Sequence, residues 1–114
     1  MAEFKTLTEL KTEAFGILTG MDSSQTPAVE DLDTIGGYVA PLLAQLAQDE
    51  IVSIPDADEI PNEYFLSVAR LLANVAGPRF GTAMNEDARR IDEAALRRLT
   101  APRPTFEALK PDYF

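Results

Sequence analysis

Apolar residues recur at three- and four-residue intervals along most of the chain, a spacing that predicts amphipathic α-helices. The first such segment runs from Thr6 to Leu18, with Thr6 or Thr8 as the N-cap and Gly20 closing the helix. Its apolar positions are Leu7, Leu10, Ala14, Phe15, Ile17 and Leu18. The stretch "TGMDSSQTP" that follows predicts a polar loop, because Ser, Asp and Thr side chains compete for backbone hydrogen bonds.

A second helix is predicted to begin at Thr26-Pro27, with a side-chain oxygen at the cap and proline at the first helical position. Pro41 lies inside this helix, where its ring should clash with the carbonyl group of Gly37. The Gly36-Gly37 pair gives the backbone room to bend, so we expect a helix kinked at Pro41, with two separate helices as the alternative. The predicted apolar face comprises Val29, Leu32, Ile35, Gly36, Val39, Leu42, Leu43 and Leu46.

The segment near residues 51–54, "IVSI", is β-branched and predicts a short strand or extended segment, and "DADEIP" predicts an acidic turn after it. Pro61 opens a third helix that Gly77-Pro78 ends. Its wide apolar stripe indicates a central helix packed on more than one neighbour. The stripe consists of Tyr64, Phe65, Val68, Ala69, Leu71, Leu72, Val75 and Ala76.

A last helix is predicted at about Asn85 to Leu99, with Ala88, Ile91, Ala95 and Leu99 facing inward. Its arginines alternate with acidic residues, a pattern typical of a solvated face. Two arginine pairs, Arg89-Arg90 and Arg97-Arg98, also offer bidentate donors to carboxylates of another subunit. The prediction is therefore an all-α bundle of about four helices in one domain, residues 1–100, followed by an extended C-terminal arm, residues 101–114.

The C-terminal arm, which ends in "RPTFEALKPDYF", has no apolar periodicity of its own. Prolines hold such a chain extended and reduce the entropy lost when it is immobilised. Aromatic side chains such as Phe106, Tyr113 and Phe114 are the residue types enriched at interface hot spots. We expect the arm to dock on another protein; docking on its own domain and free disorder are the alternatives.

Composition limits the chemistry that the 114 residues can support. There is no cysteine and no histidine, which excludes disulfides and thiolate chemistry and removes the commonest general base and metal ligand. No phosphate-binding loop or paired-carboxylate motif is present. The acidic turn lacks the frame of a calcium-binding loop. We expect no enzymatic activity, no metal and no cofactor, and the absence of a signal sequence or apolar span predicts synthesis in the cytoplasm.

The net charge of −9 is unevenly distributed. Residues 1–69 contain 13 acidic and 2 basic side chains, whereas residues 70–114 contain 6 acidic and 8 basic ones. An acidic surface repels DNA phosphates, so sequence-specific DNA binding is not expected.

Taken in order, the chain contains a kinked helix ending in "LLAQLAQDEIVSI", an acidic turn, the segment "IPNEYFLSVARLLANVAGPRFG", an arginine-rich helix and the end "RPTFEALKPDYF". Over almost the whole chain this order resembles the head-to-tail adaptor proteins of tailed bacteriophages, also called connectors, tail accessory factors or head completion proteins. The third helix is similar to the family pattern "IPxEYxxxxAxxLAxxxAPxFG". Gly77-Pro78 stands where that family has Ala-Pro, a departure that concerns only the end of the helix.

The resemblance implies a protein of the virion neck that forms a ring of twelve subunits beneath the portal protein after DNA packaging. The ring prolongs the channel through which double-stranded DNA passes without sequence-specific binding, and its lower side receives a stopper or tail protein. The protein is made in the host cytoplasm, and no membrane is involved. The arm docks on the portal protein through residues that correspond to Arg103, Pro104, Phe106, Leu109, Pro111, Tyr113 and Phe114.

Closure of a ring requires two different faces of each subunit to meet. Opposite charge favours Arg89, Arg90, Arg97 and Arg98 on one side and the acidic surface of the second helix, or the turn residues Asp56, Asp58 and Glu59, on the other.

Two other interpretations of the function stay open. One is a generic intracellular helical interaction module that uses the arm on a host partner. The other is a small enzyme or metal-dependent protein that uses the carboxylates of the acidic turn.

Overall fold

A computed structural model describes residues 4–20 and 28–100, and this part of the chain folds into α-helices joined by short connections. A ladder of two very short strands accompanies the helices. The elements in chain order are β1 (Phe4–Lys5), α1 (Leu7–Thr19), α2 (Val29–Gly36), α3 (Val39–Gln48), β2 (Ile60–Pro61), α4 (Asn62–Ala76), a 3₁₀ turn (Gly77–Phe80) and α5 (Glu86–Thr100). The predicted all-α bundle is confirmed, with α2 and α3 as the two arms of the bent second helix.

The bend in the second helix falls at Gly37 and Tyr38, a few residues before Pro41. The Tyr38 N–H donates to the Ile35 carbonyl at 3.0 Å, so the backbone tightens at this point before α3 begins. Pro41 consequently lies in the first turn of α3, where its missing N–H removes no bond that the helix needs. The helix starts at Val29 with Ala28 as its N-cap, slightly later than expected; the predicted cap at residues 26–27 lies outside the described residues.

The ends of α1 follow the predicted signals. Thr6 is the N-cap, since its hydroxyl accepts the Glu9 N–H at 3.2 Å while the Glu9 carboxylate accepts the Thr6 N–H at 3.0 Å. The bond from the Thr6 N–H lowers the pKa of Glu9, because it stabilises the ionised carboxylate. Gly20 ends the helix in the left-handed conformation, at φ 71°, and donates its N–H to Gly16 at 2.8 Å.

Helix α4 is the central element, as its wide apolar stripe predicts. It packs against α1, α2, α3 and α5 through a wide buried face, whereas Leu66 and Arg70 lie on its exposed side. The core that forms around it in the described chain comprises Leu10, Ala14, Phe15, Ile35, Val39, Leu42, Leu43, Leu46, Ile51, Val52, Ile54, Ile60, Phe65, Val68, Ala69, Leu71, Leu72, Ala73, Ala76 and Leu96. Val29 and Ile17, both predicted to face inward, are exposed instead, with 69% and 45% of their surface accessible.

The segment near residues 51–54 is extended, but it is not a strand of the described sheet. Ile51, Val52 and Ile54 are buried in the core, and the Thr100 hydroxyl donates to the Ile51 carbonyl at 3.0 Å. The sheet forms elsewhere, because β1 pairs antiparallel with β2 and places Phe4 opposite Pro61. The extended segment therefore connects α3 to the end of α5.

Gly77 allows the chain to pass closely over itself after α4. Its carbonyl accepts the Thr82 N–H at 2.9 Å, and a Cβ added at position 77 would lie 2.8 Å from the Thr82 carbonyl oxygen. Real Cβ atoms do not approach backbone oxygen so closely, so alanine at this position would displace the loop. The glycine that departs from the adaptor pattern is thus required by the local packing of this chain.

The C-terminus of α3 is closed by a backbone motif that contains a residue with positive φ. The Ile51 N–H donates to Leu46 at 2.9 Å and the Glu50 N–H donates to Ala47 at 3.1 Å, the two bonds of a Schellman motif. Glu50 occupies the left-handed position of this motif at φ 58°. Glycine is favoured there because a Cβ atom is strained by the neighbouring carbonyl group.

Replacing Glu50 by glycine is therefore expected to raise the free energy of unfolding by about 1 kcal/mol, because the strain disappears. Urea denaturation followed by circular dichroism measures the change. Asp49→Gly is the matched control, since Asp49 has φ −83° and is not strained. Glycine at this position only increases the conformational freedom of the unfolded chain, which lowers the free energy of unfolding. A Glu50→Gly protein that is no more stable than the parent would show that Glu50 is not strained.

Candidate functional site

The acidic turn, residues 56–59, holds the start of α1. The Leu7 N–H donates to Asp58 Oδ1 at 2.9 Å, although the two residues are 51 positions apart. Leu7 is the first residue of α1, so its N–H has no partner inside the helix, and a carboxylate there also suits the positive end of the helix dipole. Asp56 Oδ1 accepts the Asp58 N–H at 2.9 Å and shapes the turn.

Two of the three candidate carboxylates of this turn thus have bonds within the chain, and Glu59 is exposed. In residues 4–20 and 28–100 there is no group of three or more Asp, Glu, His or Cys side chains that could hold a metal ion. The acidic turn therefore links the start of α1 to the segment that precedes α4.

The four candidate arginines of α5 differ in what they contact. Arg89 Nε lies 3.6 Å from Glu86 and 3.7 Å from Glu93, distances that allow ionic attraction but no direct hydrogen bond. Arg90 is 2.7 Å from Asp87. Arg97 and Arg98 are exposed in the last turn of α5, and neither forms an ion pair with any residue that the structure describes. These two cations are therefore the ones available to another molecule.

The inward face of α5 was predicted wrongly. Ile91 and Leu99 are 67% and 51% exposed, whereas Leu96 is fully buried and Asp92 is 7% exposed. The helix is rotated so that Leu96 enters the core next to α4, with Ala88 and Ala95 half-buried at the edge. Large apolar side chains consequently lie on the outer surface of α5.

A cleft of about 230 Å³ lies between α1, α4, the loop after the 3₁₀ turn and α5. Asn74 fixes its wall, because its side chain both donates to the Asn85 carbonyl at 2.7 Å and accepts the Asn85 N–H at 2.8 Å. Asn85 in turn accepts the Ala88 N–H at 3.0 Å and so caps α5. The lining residues are Ile17, Leu18, Arg70, Ala73, Asn74, Gly77, Thr82, Ala83, Asn85, Ala88 and Asp92.

Asp92 is the buried acid of this cleft, and sequence reasoning missed it. Arg70 NH1 lies 3.9 Å from the Asp92 carboxylate, too far for a hydrogen bond. Burial raises the pKa of Asp92, although the Arg70 guanidinium opposes this by lowering it. The cleft offers an apolar floor and one charge pair, and neither a thiol nor an imidazole is available in this chain to act beside them.

The portal-docking residues predicted from the sequence, Arg103 to Phe114, lie outside the described residues, so the docking arm stays a prediction. No protein-family model matches the sequence, and comparison with curated proteins and with solved structures finds no match. None of the described helices has the length and apolarity needed to span a membrane.

Replacing Asp58 by alanine is expected to lower the free energy of unfolding by about 1 kcal/mol, because the Leu7 N–H at the start of α1 loses its acceptor. Glu59→Ala is the matched control, and its effect should stay within about 0.5 kcal/mol, as is usual for surface residues. Thermal and urea unfolding measure both variants. Equal stability of the two proteins would refute a capping role for Asp58.

The Asp92→Asn protein is expected to be more stable than the parent near neutral pH. The pKa of Asp92 is higher in the folded chain than in the unfolded chain, so ionisation of Asp92 opposes folding. This loss of stability is complete above the raised pKa of the folded chain, and it is absent at a pH low enough to protonate Asp92 in both states. The stability gain should therefore vanish as the solution becomes acidic. Urea denaturation across a pH series tests this, with the exposed residue Glu13 as Glu13→Gln for comparison. A gain that is independent of pH would exclude this cause.

Proposed function

We propose that this chain is a structural neck protein of a tailed bacteriophage, not an enzyme. It forms a ring beneath the portal, prolongs the DNA channel and joins the head to a stopper or tail protein. Its C-terminal arm docks on the portal protein. Synthesis takes place in the host cytoplasm and the protein functions in the virion.

The way α5 ends is the observation that carries this proposal. The Thr100 hydroxyl lies 3.0 Å from the Ile51 carbonyl oxygen and 3.1 Å from the Leu96 carbonyl oxygen, so its one proton is shared between the core segment and its own helix. The proline- and aromatic-rich arm begins at the next residue. A short proline-rich segment that follows a fixed point on a folded domain is well placed to reach a partner at low entropic cost.

The order of the described elements also supports the proposal. A bent helix, an acidic turn, a central helix and an arginine-rich helix follow one another as the resemblance to phage adaptors leads us to expect. The charge distribution is compatible with a DNA channel, since residues 1–69 carry 13 acidic and 2 basic side chains. An acidic wall repels phosphates and lets DNA pass without adhering to it.

The binding contributions of the individual arms add up around the ring. Each arm loses conformational entropy when it is ordered, so a single contact is weak. Many symmetric copies bind a symmetric portal with high effective concentration, and the overall avidity exceeds the affinity of one arm. Such an arrangement makes attachment dependent on the completed ring.

A chain that ends at Thr100 is expected to keep its helical circular dichroism and to lose binding to portal rings. Removal of three aromatic anchors should weaken attachment by about 100-fold or more. Co-sedimentation and electron microscopy with purified portal rings from a panel of tailed phages measure the loss against the full-length protein.

The matched control is a full-length Phe106→Ala/Tyr113→Ala/Phe114→Ala protein, which retains the arm and removes only its anchors. It should behave like the truncation. Undiminished attachment of the truncated protein would refute the role of the arm. Failure of the full-length protein to bind any portal in the panel would instead favour an interaction module with a different partner.

A further inference from the structure

The outer face of α5 is exposed in the described chain. Asp87, Ile91, Ala94 and Arg98 follow one another at intervals of three and four residues and therefore share this face. Ile91 is 67% exposed at its centre. Arg90 neutralises Asp87 at 2.7 Å, so the remaining charge of the face is positive and comes from Arg98, with Arg97 beside it in the last turn of α5.

The outer face of α2 has the opposite charge. Val29 is 69% exposed, and Glu30 and Asp33 lie beside it on the same exposed side of the helix. Neither carboxylate forms an ion pair with a residue in the described ranges. Each of the two helices therefore exposes an aliphatic side chain, Val29 on α2 and Ile91 on α5, together with two charges that are unpaired in the described chain, and the charges are opposite in sign.

We propose that the outer face of α5 in one copy binds the outer face of α2 in a second copy. Ile91 packs against Val29, while Arg97 and Arg98 pair with Glu30 and Asp33. The two faces are different, so every copy binds one neighbour with α2 and another with α5, the head-to-tail contact from which rings are built. This inference deepens the proposed function, and it rests on that function only for the closure of the chain of copies into a ring.

The structure selects these residues from the wider set that the sequence offers. Asp56 and Asp58 are engaged by the backbone around α1, and Arg89 and Arg90 are balanced by acids of their own helix. A charged side chain that already forms an ion pair gains less free energy from a new partner than a side chain that is solvated and unpaired. A single helix face is smaller than a standard protein interface, so one contact is weak and many contacts in a closed assembly reinforce one another.

Disulfide crosslinking tests the contact directly, because the chain has no cysteine of its own. A Val29→Cys/Ile91→Cys protein, oxidised at high concentration with copper–phenanthroline, is expected to give a ladder of covalent oligomers on a non-reducing gel. The matched control is Val29→Cys/Leu66→Cys, since Leu66 on α4 is also exposed, at 54%. A ladder no stronger than that of the control would overturn the proposal.

Charge exchange supplies the second measurement, made in the same cysteine background. Arg97→Glu/Arg98→Glu and Glu30→Lys/Asp33→Lys should each abolish the ladder, since like charges then face each other at every contact. An equimolar mixture of the two should restore it, because each protein has the charge that the other requires; a mixture that stays monomeric would refute the pairing. The crosslinking experiment contains no portal protein, so its outcome does not depend on whether the C-terminal arm attaches to a portal.

Discussion

Burial of α4 among the other helices is the constraint on which the described structure depends. The wide apolar face of this helix must be removed from water, so α1, α2, α3 and α5 pack against it, while Leu66 and Arg70 lie on its exposed side. The positions of the remaining features follow from that packing. Leu96 fixes the rotation of α5, and the extended segment at Ile51 fills the space between α3 and the end of α5.

The charged residues divide into those that stabilise the fold and those that form no ion pair in the described chain. Asp58 caps α1, and Arg90 balances Asp87 within α5. Arg97 and Arg98 have no such role in the described chain. A count of charges along the sequence treats all of these residues alike. Their bonding in the folded chain separates the charged side chains that stabilise the fold from those that form no ion pair with another described residue.

Much of the fold could be predicted because its signals are local. The capping box at Thr6, the left-handed Gly20 and the apolar stripe of α4 each depend on residues a few positions apart. The burial of Asp92 and the exposure of Ile91 could not be read in this way, since a shift of one position rotates a helix by about 100° and only tertiary contacts decide the rotation. The cap that Asp58 provides spans 51 positions, so no local pattern contains it. The candidate arginines were identified by type, but which of them are free depends on neighbours in three dimensions.

The bond between Leu7 and Asp58 also affects how the chain matures on the ribosome. Helix α1 is synthesised before the other described helices, yet the carboxylate that accepts its first N–H and the strand that pairs with β1 follow more than 50 residues later. Its docking surface on α4 emerges later still. Before α4 leaves the exit tunnel, α1 has α2 to pack against but not α4, so part of its apolar side stays uncovered in the nascent chain during that interval.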